Sequence, residues 1–254
     1  MRRLVSNDGF ILAGDIVCLP GGQDFLESTR RRREANSKFS DGYLVLAGEF
    51  TRELVSDCPF VLAAAAAGSV SSNGVDIGDD VDLNLIVEDG TKYITYLTAI
   101  ILGMKYSLRH GEAFGNGGIR KLICINVVWT ESDTSPFVRQ DDSLAFELML
   151  SKPLIGRDAF RSMLERNGWV KDAFPQAFTM DGEAVERPPP GLIGKVNATL
   201  TAQPALRQLV DRLARIASRI IYAAYHWARK GDGEAAGRLE LVKKVKYPYE
   251  VFQD

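Results

Sequence analysis

Cysteine is scarce in this chain. There are three, Cys18, Cys58 and Cys124, widely spaced and without a Cys-x-x-Cys pair or a Cys/His cluster. That excludes a zinc ribbon, disfavours a disulfide framework and points to a reduced, cytoplasmic chain. An excess of either charge is also missing: 31 basic and 33 acidic side chains leave a formal net charge of -2. A protein that coats nucleic acid by bulk electrostatics is disfavoured, while a local basic patch stays open. Long hydrophobic runs are absent too. The longest strongly apolar stretch, Phe60 to Val70, is too short to span a bilayer, so no membrane partner is expected. Asp8 and Asp15 interrupt any apolar core that a signal peptide would need. No internal repeat stands out.

What remains is an ordinary globular composition. The 254 residues, 46% of them hydrophobic, imply one or two domains and rule out wholesale disorder. A chain this long buries a sizeable core without a staple.

Residues 1–22 mix short apolar runs with Gly and Pro and read as strands or turns. Gln23 to Phe39 reads as a charged helix, and Gly42 to Asp57 as another, with Leu44, Leu46, Ala47, Phe50 and Leu54 on its buried face. Past Pro59, Phe60 to Ala67 reads as a strand buried on both faces, although its alanines are poor strand formers. Gly68, Ser69, Ser71, Ser72, Asn73, Gly74 and Gly78 mark a long turn. Asp80 to Val87 is a second strand, Tyr93 to Tyr106 a helix, and Leu122 to Trp129 a third strand. Leu144 to Leu150 and Asp158 to Arg166 are helices split by Pro153 and Gly156. Residues 181–203, centred on Pro188-Pro189-Pro190, read as a linker. Ala205 to Arg229 is the strongest helix, with Leu206, Leu209, Val210, Leu213, Ile216, Ala217, Ile220 and Ala224 recurring at three and four. The expected fold class is α/β (mixed α+β): a small mixed sheet flanked by helices over residues 1–180, the linker, and a helical region over 204–254.

The chemistry-bearing segment is Gly68-Ser69, a turn, then Asp80-Val81-Asp82-Leu83. On a strand the side-chain period is two, so Asp80 and Asp82 project from one face with Asn84 beyond them. Two carboxylates so placed repel unless a cation sits between them or one takes a proton. Paired acidic oxygens suit Mg²⁺, which often bridges to phosphates. A Gly-Ser turn after a buried strand sets backbone N–H groups and a hydroxyl against a phosphate.

These residues resemble the signature of the DNA polymerase beta-like nucleotidyltransferases, which include the minimal nucleotidyltransferases, the antibiotic adenylyltransferases and the CCA-adding enzymes. The order of apolar strand, Gly-Ser turn and Asp-x-Asp strand is similar. Cys124-Ile125-Asn126-Val127-Val128, Pro153-Leu154-Ile155-Gly156 and Asn167-Gly168-Trp169-Val170 extend the resemblance, which covers residues 42–178. It implies a nucleotidyltransferase core in which Asp80 and Asp82 hold Mg²⁺ or Mn²⁺ against a nucleoside triphosphate. Gly68 and Ser69 would bind the β- and γ-phosphate region. An acceptor hydroxyl would attack the α-phosphorus, and pyrophosphate would leave. The family supplies a third carboxylate from a later strand. The resemblance places that position at Asn126, which is neutral and cannot serve as a base. Glu131 and Asp133, just past that strand, are the acidic alternatives, with solvated loop acids as their ordinary reading.

The implied function is metal-dependent transfer of a nucleoside monophosphate from the triphosphate to a hydroxyl of a small molecule or protein, in preference to a nucleic acid. The alternatives are a catalytically degenerate nucleotide-binding or partner-binding protein, favoured by Asn126, and an antitoxin-type transferase of a toxin–antitoxin pair. Other side chains have ordinary readings. Arg30 to Arg33 read as a solvated helix face, and Asp76, Asp79, Asn73 and Gly74 as turn formers. Arg109, Arg120 and Lys121 are triphosphate candidates that also suit the surface. His110 is given no role. His226, seven residues after Arg219, loosely resembles the Arg…His pair of helical RNA-cleaving toxins, and a helix-end histidine is its plain reading. Trp129, Trp169, Trp227, Tyr222 and Tyr225 suit core or interface packing. The long C-terminal helix offers a face for a homodimer, and an intramolecular bundle would bury the same stripe.

Overall fold

Leu26 to Asp57 form one helix, α1, and not two. Gly42 is exposed, and a side chain on Gly48 would meet nothing within 4 Å, so neither glycine interrupts it. Its first half faces solvent, and its second buries Tyr43, Leu46, Ala47, Phe50 and Leu54. These features come from a computed structural model that describes residues 11–13, 16–18, 21–114, 121–178 and 186–228. Before α1, β1 (Ile11–Ala13) and β2 (Ile16–Cys18) pair as an antiparallel hairpin apart from the main sheet.

The apolar run after Pro59 becomes β3 (Val61–Ala67), followed by the single helical turn α2 (Gly68–Ser71) and by β4 (Val81–Val87). The helix α3 (Lys92–His110) crosses over to β5 (Ile123–Thr130). Next come α4 (Asp142–Leu150), β6 (Lys152–Ile155), α5 (Arg157–Arg166) and α6 (Trp169–Ala173). The main sheet has the order β5-β4-β3-β6. The β4–β5 pair is parallel, and β3 is antiparallel to both its neighbours. The fold is therefore mixed α+β, a four-stranded mixed sheet with flanking helices. Ala63 to Ala67 are at most 1% exposed, which explains a strand built from weak strand formers. Burial on both faces decides over intrinsic propensity.

Two elements differ from the sequence expectation. Pro153 lies inside β6, which the sequence reading treated as a break. An edge strand tolerates proline because one row of its backbone groups needs no ladder partner. Gly156 then turns the chain at φ +70, where a Cβ would run into the Leu62 carbonyl. The expected linker contains the helix α7 (Leu192–Thr201). It is tied to the end of α1: Gly191 N donates to Ser56 O at 3.1 Å, and Asn197 Nδ2 to Asp57 O at 2.8 Å.

The last described helix is α8 (Pro204–Ala228). Its inner face is Asp211, Ala214, Ser218 and Tyr222, while Leu209, Leu213, Ile216 and Ile220 are exposed. That rotation away from the expected stripe has a polar cause. Asp211 Oδ1 accepts from Tyr93 N at 2.7 Å and Ile94 N at 3.0 Å, at the start of α3. The N-cap residue Thr91 makes no side-chain cap; its hydroxyl donates to Glu88 O. Asp211 thus supplies from another helix the acceptor that the N-terminal amides of α3 require. Among the described residues no helix is long and apolar enough to cross a membrane.

Asp211→Ala should lower stability by about 1–2 kcal/mol, the usual cost of a lost cap. Asp211→Asn, which keeps an acceptor oxygen, should lose less. Thermal unfolding of the three proteins checks the order.

Candidate active site

Asp80 precedes β4 and Asp82 is its second residue. In the parallel pairing, Asp82 lies opposite Cys124 of β5. One carboxylate oxygen from each aspartate and Cys124 Sγ lie within 4.8 Å of one another. Lys121 donates from Nζ to that sulfur at 2.7 Å. The Gly-Ser bend closes the other side. Gly68 sits at φ +60, and a Cβ there would come within 2.5 Å of Asp82 Oδ2. The structure therefore brings Gly68, Asp80 and Asp82 together, with half-buried Ser69 next in the chain. Ser69 O accepts from Gly74 N at 2.9 Å and from Ser72 Oγ at 3.2 Å, which shapes the loop.

The loop between α2 and β4 is held by α1. Tyr43 Oη accepts from Gly78 N at 3.2 Å, Asn36 donates to Gly74 O at 3.4 Å, and Arg32 pairs with Asp76 at 3.2 Å. Asp79 caps the turn by accepting from Asp76 N. On the far side, Lys152 of β6 donates to Asn73 Oδ1 at 2.8 Å. Asp76, Asp79, Asn73 and Gly74 accordingly have the turn-forming roles that their types imply.

Burial, and next the nearby Asp80 carboxylate, push the Asp82 carboxyl up to about 6. A hydrogen bond from Cys124 and the charge of Lys121 oppose that rise, and Glu147 adds to it. Burial likewise pushes the Cys124 thiol up to about 12.

Asn126 meets β4 at Asn84, two residues along the strand from Asp82. The β4–β5 register shifts between Leu83 and Asn84, so Asn84 faces Val127 and Asn126 is the extra residue. A bulge of this kind re-aims a side chain. Asn126 Nδ2 donates to Asn84 Oδ1 at 3.0 Å and to Glu147 Oε1 at 3.1 Å. Asn84 Nδ2 donates to the same Glu147 oxygen at 3.0 Å and to Ser151 Oγ at 3.3 Å. A polar chain therefore runs along the sheet face from Asp82 and Cys124 through the two asparagines to Glu147 of α4. Cys124 occupies the β5 position beside Asp82. Glu147 is the carboxylate that the sequence reading missed, because only the packing of α4 brings it there. The missed signal for Cys124 was its strand period, which matches that of Asn126.

The remaining candidates lie elsewhere. Asp133 accepts from Thr130 N and Glu131 pairs with Arg166 at 3.7 Å. Both follow the C-terminal end of β5, while Cys124 is near its start, so they stand about 20 Å from the aspartates. Arg30 pairs with Glu34 and Arg31 with Glu27, as a solvated face should. Arg109 is exposed and the His110 ring lies 5.4 Å from that of Tyr106. Trp129 is buried against Phe137, Trp169 bonds Asn167, and Trp227 is exposed. Tyr222 and Tyr225 line an apolar cavity of about 170 Å³ between α3, β5 and α8. Lys121 reaches that cavity as well as Cys124. Arg120, Arg229, and the side chains of Arg33 and His226, lie outside the described residues.

No protein-family model, curated protein or solved structure matches this chain. The resemblance to nucleotidyltransferases therefore rests on the residues themselves.

Two outcomes follow. A carboxyl whose folded pKa is raised is tolerated below its unfolded value near 3.8 and costs stability as pH rises towards 6. Asp82→Asn in chelator should therefore be more stable than the parent by about 1–3 kcal/mol above pH 6, with the difference vanishing below pH 4. Unfolding across that pH range measures it. Asn126→Asp would set a carboxylate against Glu147 Oε1, so it should lower stability by about 1–3 kcal/mol at neutral pH, with a smaller loss when Glu147→Gln is combined with it.

Proposed function

We propose that the chain is a metal-dependent nucleotidyltransferase that moves a nucleoside monophosphate from a nucleoside triphosphate to a hydroxyl, releasing pyrophosphate. The observation that carries the reading is the meeting of Asp80 and Asp82 with the Gly68 bend. The carboxylates have no other evident reason to share a half-buried corner, since their mutual repulsion is a cost. Two carboxylates with oxygens this close together fit a divalent cation. Asp80 and Asp82 would hold it, as Mg²⁺ or Mn²⁺ in the expectation that the resemblance carries. Such an ion, when bound, neutralises phosphate charge and polarises the reacting phosphoryl group.

The chain's own contribution is placement. Gly68 and Ser69 open α2, so their N–H groups lack intrahelical acceptors and suit phosphate oxygens. Lys121 adds a positive charge beside the aspartates. The asparagine–Glu147 chain fixes the face of β4 and β5 on which the substrate would lie. A small-molecule or protein acceptor agrees with the near-neutral charge, and a cytoplasmic setting stays the expectation that the few scattered cysteines carry.

A second reading is a degenerate nucleotide-binding or partner-binding protein on the same core. It is favoured by one observation: Cys124 and Asn126, not a carboxylate, hold the β5 positions on this face. The two readings separate in one assay. The chain is incubated with each labelled nucleoside triphosphate, divalent metal and cell extract. Transfer that falls at least about 100-fold in Asp80→Ala and Asp82→Ala supports the enzyme. Nucleotide binding without transfer supports the second reading, and transfer unchanged in both variants removes the assigned site.

A further inference from the structure

The donor set at Asp80 and Asp82 is not purely oxygen. We propose that this site takes a thiophilic divalent cation of the zinc type, with Cys124 Sγ as its third protein ligand. The inference rests on the cation site named above and departs from the expected Mg²⁺ in the class of ion it assigns. Mg²⁺ and Ca²⁺ select oxygen ligands, whereas a sulfur donor selects Zn²⁺ and its transition-metal relatives.

The geometry supports Cys124 as a ligand. Two of the donor atoms, from Asp82 and Cys124, come from adjacent strands, the third comes from Asp80 one residue before β4, and all three lie within 4.8 Å of one another. The pairing of Asp82 with Cys124 sets this distance through backbone hydrogen bonds, so it does not depend on a mobile loop. A cysteine that served only to fill volume would sit among apolar atoms. Here carboxylates lie on one side of the sulfur, and the Lys121 ammonium donates to it at 2.7 Å. The Lys121 ammonium offsets part of the cost that burial sets on negative charge at the sulfur. Binding forms a sulfur–metal bond and releases the thiol proton to water. Three protein ligands leave an open position in a four-coordinate ion, the pattern of catalytic and not structural zinc sites. That position would take water or a phosphate oxygen, while Gly68, by lacking a side chain, leaves room for the Asp82 carboxylate.

Cobalt(II) is the probe, because thiolate ligation gives it a charge-transfer band in the near ultraviolet. The full chain is titrated anaerobically with Co²⁺, beside Cys124→Ser and Asp82→Asn, with folding checked by circular dichroism. The parent should show the band, and Zn²⁺ should abolish it by displacement while excess Mg²⁺ does not. Cys124→Ser should lose the band and bind Co²⁺ about tenfold or more weakly, and Asp82→Asn should lose both. Co²⁺ bound without the band, or a band unchanged in Cys124→Ser, overturns the sulfur ligand and leaves an oxygen-only cation site standing. A folded parent that binds neither Co²⁺, Zn²⁺ nor Mn²⁺ by calorimetry overturns both readings.

Discussion

Asp82 stands where burial and a neighbouring carboxylate both oppose its charge, and the surrounding structure is organised by that cost. Its neighbours fall into groups with separate tasks. Gly68 gives up its side chain so that the carboxylate fits. Lys121 and the Cys124 thiol offset part of the penalty. Tyr43, Asn36 and Arg32 reach from α1 to hold the loop that brings Asp80 alongside. Such an arrangement weakens the fold in isolation, which is the usual mark of a site kept for a ligand and not for stability.

Inward from the aspartates, the face of the sheet stays polar. Asn84 and Ser151 are almost fully buried, yet each is hydrogen-bonded, and both asparagines converge on one oxygen of Glu147. Satisfied networks of this kind impose one arrangement, because a slip of the β4–β5 register would strand several donors at once. The bulge at Asn126 belongs to the same design. It takes one residue out of the ladder so that its amide can bridge the two layers.

Much of this was visible in the residues. The two-residue period put Asp80 and Asp82 on one face, and the apolar run before Gly68 marked a strand despite its alanines. Local signals failed where packing overrules them. Pro153 looked like a breaker because its place on a sheet edge is a property of the assembled sheet. The Pro188-Pro189-Pro190 segment hid α7 for a similar reason, since its anchoring at Ser56 and Asp57 is remote in sequence. Cys124 was weighed for redox chemistry and so was missed as a neighbour of Asp82. Glu147 carries no local signal, because its meeting with Asn84 and Asn126 depends on how α4 docks. The apolar period on α8 was real, but the helix turns Asp211, Ala214, Ser218 and Tyr222 inward, and five of the eight stripe positions face outward.

That cap has a temporal consequence. The helix α3 joins β4 to β5, so its two ends govern the strands that carry Asp82 and Cys124. Its first amides find their acceptor only in α8, more than a hundred residues later in the chain. During synthesis on the ribosome, the N-terminus of α3 must wait, solvated, until Asp211 has emerged. A ribosome stalled before α8 would display this helix start without its clasp.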